Sequence, residues 1–236
     1  HGELGSPSED EVEPSHSSFA EPARSALQPL CGRLAVDVLT WSIAGVLLLL
    51  WRLYPHFSPA LNHDSFEYLS AAQNALSGHV GYTSLVHFDV ERSFGQIPAP
   101  MLTFAPGYPL AVAALSVFGF SSTTAALLVS VLSMLACIPL LAWASARLGL
   151  SRSACNAVIA CVVLNGAVVE FATFALSEAL FTMLVLLGAV SLVAARTRVG
   201  ASAQAAWIGA GLAFGAAYSV RYAGLFFIAG MALLLG

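Results

Sequence analysis

Apolar residues in this chain do not alternate with polar ones. They come in long blocks, at 34–54, 121–147, 153–173, 177–195 and 204–220, with another beginning near Tyr222. About 20 residues of helix, at ~1.5 Å per residue, cross a hydrocarbon core of roughly 30 Å, so each block predicts a transmembrane helix. The last block is cut in mid-run at Gly236, which predicts a piece of a longer multi-span protein. The first block carries Trp41 and Trp51 near its two ends, suited to the two interfaces. No small-residue cleavage site follows it, so it reads as an uncleaved signal anchor. Between the first and second blocks lies a more polar stretch, 55–120, predicted as a loop on one face of the membrane. Within it Leu110–Phe120 would make only about 16 Å of helix, too short to cross, and predicts a juxtamembrane helix.

The loop has its own pattern. Asp64-x-x-Glu67 has the form of a capping box, and Gly78 after Ser77 is a C-cap signal. Phe66, Leu69, Ala72 and Leu76 fall at helical spacing, predicting a short helix lying along the membrane surface. Residues 79–104 read as irregular or β-like, leading into a turn region rich in proline (Pro98, Pro100, Pro106, Pro109). Residues 1–30 are rich in Ser, Pro and Glu, and the only basic residue among them is Arg24; they predict a disordered acidic tail. The membrane domain is then 31–236.

Composition agrees with the blocks. Hydrophobic residues make up 58% and charged residues 9% of the chain, and the mean hydropathy is +0.81. The expected class is an all-α polytopic membrane protein. Every basic residue is Arg, which with the abundant Ala and Gly suggests a GC-rich bacterial source. If Leu110–Phe120 does not span and the N-terminus is inside, Arg24, Arg33, Arg147, Arg152, Arg196 and Arg198 are all cytoplasmic, as the positive-inside rule asks. Asp64, Glu67, Glu170, Glu178 and Arg221 then share the outer face. The rival arrangement, with Leu110–Phe120 spanning and the N-terminus outside, also leaves six Arg inside, so charge does not choose between them and segment length favours the first. Cys31, Cys137, Cys155 and Cys161 match no metal or redox spacing and read as small buried hydrophobes.

In so apolar a chain, acids beside a span stand out. Asp64 is placed to act as a general base toward an attacking hydroxyl, or else to cap its helix with Glu67. Glu178 opens the span Ser177–Ala195, where it is either a macrodipole-favoured first-turn acid or a member of a polar site. Arg221, between two apolar stretches, suits an anionic phosphate, or snorkels, or pairs with Glu170 or Glu178. Arg92, beside Asp89 and Glu91, reads as a local ion pair. Tyr68 and Tyr108 either line a sugar pocket or sit at the interface. His56, His63, His79 and His87 cluster in and beside the loop but match no zinc pattern, so no metal ligands are assigned. Gly209, Gly211 and Gly215 predict a helix-packing face.

Taken in order, Asp64-Ser65-Phe66-Glu67-Tyr68-Leu69, Asn74-Ala75-Leu76-Ser77-Gly78, Phe104-Ala105-Pro106-Gly107-Tyr108-Pro109-Leu110, Phe118-Gly119, Ala146-Arg147-Leu148-Gly149, Leu176-Ser177-Glu178-Ala179-Leu180 and Arg221-Tyr222-Ala223-Gly224 resemble the N-terminal half of a GT-C type membrane glycosyltransferase. The protein O-mannosyltransferase and aminoarabinose transferase group is the most similar, over about 34–236. The resemblance implies a GT-C-like helical bundle whose outer first loop carries juxtamembrane helices. It implies transfer of a sugar from a polyprenyl-phosphate donor to an acceptor hydroxyl of a lipid, glycan or protein. The reaction would lie on the outer face of a bacterial inner membrane.

The family's first-loop acid falls on Asp64, the presumed base, and a second acid, often Asp, falls on Glu178; the longer Glu arm is a departure. Glu67, Tyr68, Tyr108 and Arg221 become candidate substrate-binding residues, with Arg221 meeting the leaving phosphate. Some relatives use a divalent ion and others do not; no cofactor is required on this reading. This piece alone is expected to be inactive. A transporter or flippase-like protein is the alternative, and predicts acids spread through the membrane depth rather than gathered at one face. A structural subunit without activity is a third, which Asp64→Asn would leave unaffected.

Overall fold

The computed structural model describes residues 21–54, 56–86, 90–91 and 93–235, with side chains described among those in the range 34–233. The chain forms two compact units, residues 1–36 and Asp37–Gly236. Helix α1 (Glu21–Leu53) begins inside the stretch predicted to be a disordered tail, so that stretch is helical from Glu21 on. Residues 1–20 lie outside the described residues.

Eight further helices follow among the described residues. They are α2 (His63–Leu76), α3 (Gly107–Ser116), α4 (Ser122–Arg147), α5 (Arg152–Val163), α6 (Gly166–Thr173), α7 (Glu178–Thr197), α8 (Ala201–Val220) and α9 (Gly224–Leu235). Among the described residues, the β-like part of the loop holds one short antiparallel pair, β1 (Tyr82–Thr83) with β2 (Ala99–Pro100). Leu34–Leu53, α4 and α7 are long and apolar enough to cross a membrane. The chain is an all-α membrane protein.

The predicted continuous span 153–173 is instead a broken one. α5 and α6 meet at a 53° bend, because the Asn165 side chain accepts from the backbone N–H of Ala167 and Val168 and so caps a new helix. α8 is as long as α7 but, with Gln204, two Ser and three Gly residues, is not among the helices apolar enough to cross a membrane. Its course follows from packing. Gly188 abuts Phe214 and Ser191 faces Gly209, while the first turn of α7 meets the residue just after α8 through Glu178 and Arg221. α8 therefore returns antiparallel along the whole of α7.

The other directions follow in the same way. The Ser130 hydroxyl of α4 donates to the Phe174 carbonyl at 3.0 Å, at the start of α7, and Trp143 packs on Ala194 and Ala195 at the end of α7. α4 and α7 thus run in parallel. Asp37 in α1 pairs with Arg152 at the start of α5. Ala60, beyond the end of α1, exchanges backbone hydrogen bonds with Thr173 and Ala175. α1 and the α5–α6 pair thus run opposite to α4 and α7. One end of the bundle, the loop end, collects the C-termini of α1, α6 and α8, the N-termini of α4 and α7, and all of α2 and α3. Arg147, Arg152, Arg196 and Arg198 gather at the other.

α3 stays at the loop end. Its ten residues make about 15 Å of helix, half of what a span needs. Gly107 touches the backbone of Ser219, where a Cβ would come within 2.6 Å of the carbonyl carbon, so only Gly allows this approach. Tyr108 reaches Ala126 of α4. The predicted glycine face is only partly used: Gly209 meets Ser191, whereas Gly211 and Gly215 have no neighbour where a Cβ would stand.

α2 also differs from its prediction. Its cap is Asn62, whose side chain accepts from the Ser65 N–H at 2.9 Å while the Ser65 hydroxyl accepts from the Asn62 N–H at 3.1 Å. The capping box therefore sits two residues earlier than Asp64 and Glu67. The helix buries Ser65, Glu67, Tyr68, Ala71 and Ala72 and leaves Phe66 and Leu76 exposed. Small and aromatic residues face inward because they must fit against Tyr108 and Val112 of α3 and Ala125 and Val129 of α4, in the cluster that forms the core of this end.

Candidate functional site

The cap shift settles what Asp64 does not do. It stands in the first turn of α2, partly exposed, and makes no hydrogen bond or ion pair among the described residues. One turn further along, Tyr68 is buried. Its ring packs against Phe104 and Tyr108 at centroid distances of 5.0 and 5.1 Å. Its hydroxyl lies 3.2 Å from the Ser177 hydroxyl.

Ser177 precedes α7 in the N-cap position, yet its side chain makes no capping bond. It turns instead to Tyr68 and to Arg221, whose Nη1 donates to Ser177 Oγ at 3.4 Å. The same Nη1 donates to Glu178 Oε1 in a short ion pair. Of the open choices for Arg221, the structure takes the pairing with Glu178. The pair is half-buried, with side chains 27% exposed for Glu178 and 38% for Arg221. Glu178 Oε2 is buried and has no hydrogen-bond partner among the described residues.

Tyr68, Ser177, Arg221 and Glu178 thus form one polar cluster drawn from α2, the α6–α7 link, α7 and the end of α8. Burial pushes the Tyr68 hydroxyl up to about 12; the Ser177 bond and Arg221 act against this, and the Glu178 and Asp64 charges act with it. Tyr68 therefore keeps its proton at neutral pH and serves as a hydrogen-bonding group rather than a base. Two further links fix the cluster. The Ala60–Phe174 bridge ties the start of the loop to the α6–α7 link. The Tyr222 hydroxyl donates to the Phe104 carbonyl at 3.5 Å.

The remaining predicted residues divide. Glu67 is 1% exposed on the inner side of α2, and Tyr108 is fully buried in the core, so neither presents a surface to a substrate. Burial likewise raises the Tyr108 hydroxyl above its ordinary range. Glu170 is exposed on α6 and does not meet Arg221. Arg92, Asp89 and His87 lie outside the described residues. Among the described residues no three His, Cys, Asp or Glu side chains lie close enough to share a metal ion. The residue that sequence reading missed is Ser177: beside Glu178 at a helix start it looks like a cap, and nothing local signals its tertiary bonds.

No known protein family, curated protein or solved structure matches this chain.

Proposed function

We propose that this chain belongs to a membrane glycosyltransferase of GT-C type. It would transfer a sugar from a polyprenyl-phosphate donor to an acceptor hydroxyl at the loop end of the bundle, on the outer face of a bacterial inner membrane. The observation that carries the reading is an unpaired carboxylate, Asp64, on the same short helix whose Tyr68 joins the Ser177–Arg221–Glu178 cluster. A base and a cation are what a displacement at an anomeric carbon requires.

On this reading Asp64 takes the proton of the acceptor hydroxyl as its oxygen bonds to the anomeric carbon. The bond from that carbon to the phosphate oxygen breaks on the opposite side, giving inversion, and the lipid phosphate leaves as an anion. Arg221 meets that charge with the donors it has not given to Glu178 and Ser177. Glu178 acts as a positioning residue that holds the guanidinium. Glu67, Tyr108 and Tyr68 shape the site from within.

The test uses the full-length protein in proteoliposomes with a panel of polyprenyl-phosphate sugars, following release of polyprenyl phosphate. Turnover that falls by about 10²-fold or more in Asp64→Asn supports the reading. Turnover unchanged by that substitution overturns the base assignment, and no turnover of any donor in acceptor-containing membranes overturns the activity.

A further inference from the structure

The arginine end carries a second feature, on which the proposed reaction does not depend. A mostly apolar cleft of about 450 Å³ opens between α4, α7 and α8, walled by Pro139, Leu140, Trp143, Val190, Ser191 and Ala194, with Arg198 on its lining. α8 is thin where it borders the cleft, with Ala205, Ala206 and Gly209 on that wall.

Its mouth is basic. Arg198 lies on it, Arg196 is in the last turn of α7, and Arg147 stacks over Trp143 at 5.0 Å from the ring centroid. None of these three forms an ion pair among the described residues. Asp37, an acid at this end, is already held by Arg152 in a two-pronged bond at 2.7 Å. An apolar slot between spans, ending in uncompensated arginines, fits a molecule with an acyl chain and a phosphate head. We propose that this cleft binds one anionic phospholipid, its chain along Trp143 and Val190 and its phosphate on Arg198. Basic pockets between spans on the cytoplasmic side recognise acidic lipid heads in this way, each arginine contributing about 1 kcal/mol near the surface.

The cleft supplies its own reporter. The full-length protein in phosphatidylcholine nanodiscs is titrated with dibrominated phosphatidylglycerol or dibrominated phosphatidylcholine, and tryptophan quenching is read. The expected result is stronger quenching by the glycerol lipid at equal mole fraction. That excess is lost in Trp143→Phe and blocked in Ala205→Phe, which fills the cleft from an exposed position. In Arg198→Gln it is weakened roughly fivefold, the equivalent of one arginine. Retained melting temperature in Ala205→Phe and Arg198→Gln separates these losses from misfolding. Equal quenching by both lipids means ordinary annular lipid and overturns the proposal. Absence of quenching at Trp143 means that protein fills the cleft, and also overturns it. Full displacement by inorganic phosphate means a plain anion site, and overturns the lipid assignment.

Discussion

Arg221, the residue after α8, donates to the carboxylate of Glu178 at the first turn of α7, 43 positions earlier in the chain. This bond closes the α7–α8 hairpin at the loop end. It also places the cation of the candidate site, because the same nitrogen reaches Ser177 and, through it, Tyr68.

Removing one partner of a half-buried pair leaves the other charge short of compensation. Arg221→Ala is expected to destabilise by about 1–3 kcal/mol, with Glu178→Gln costing less. The double variant should cost less than the sum, giving a coupling of about 1 kcal/mol in detergent-solubilised melts. Additive losses would mean that the two side chains do not interact.

The buried Tyr68 hydroxyl gives a pH signature. Its proton is held more tightly in the folded state, at about 12, than at the ordinary 10.0. The folded state thus binds more protons between these values. The stability that this contributes is present in full below pH 10 and is lost as pH rises through about 12. Tyr68→Phe should flatten part of the alkaline fall in melting temperature, leaving a remainder from Tyr108, whose hydroxyl is also raised. An unchanged alkaline profile in Tyr68→Phe would contradict the buried placement.

Asn62 and Asp64 separate structure from chemistry on one helix. Asn62→Ala removes the cap and should cost about 1 kcal/mol of stability. Asp64→Asn breaks no hydrogen bond among the described residues and should leave the melting temperature nearly unchanged while lowering turnover by about 10²-fold or more. The reverse pattern would return Asp64 to a structural role.

Glycines of the same composition should respond differently by position. Gly107→Ala drives a methyl into the Ser219 backbone and should cost about 1–3 kcal/mol, loosening α3 from α8. Gly211→Ala meets nothing and should be neutral, or stabilising by up to about 1 kcal/mol through helix propensity. Thermal melts of the two variants side by side decide this.

Much of the helical layout is legible in the sequence because membrane helices announce themselves by length and hydropathy; α4 and α7 appear within a few residues of their predicted bounds. Asn165, lying within an apolar block, is a polar residue whose capping power the block pattern averages away, so the α5–α6 break is not legible. The buried face of α2 is misread for a related reason: Phe66 and Leu76 are the larger apolar residues, but Ala71 and Ala72 fit the space beside Tyr108. Asp64 and Glu178 stand out by charge alone. The partnership of Ser177 with Tyr68 and Arg221 depends on how α2 and α8 arrive at the start of α7, which no local pattern encodes.

The proposed site requires residues from distant parts of the chain to share one side of the membrane. The most direct measurement is sidedness. Single cysteines replace Asp64 and Glu178 in turn, in a cysteine-free full-length background, and an impermeant thiol reagent is added to intact and to lysed cells. Labelling of both positions from outside intact cells is the predicted result. Labelling from opposite sides would make Leu110–Phe120 a span, separate the two acids, and contradict the shared site.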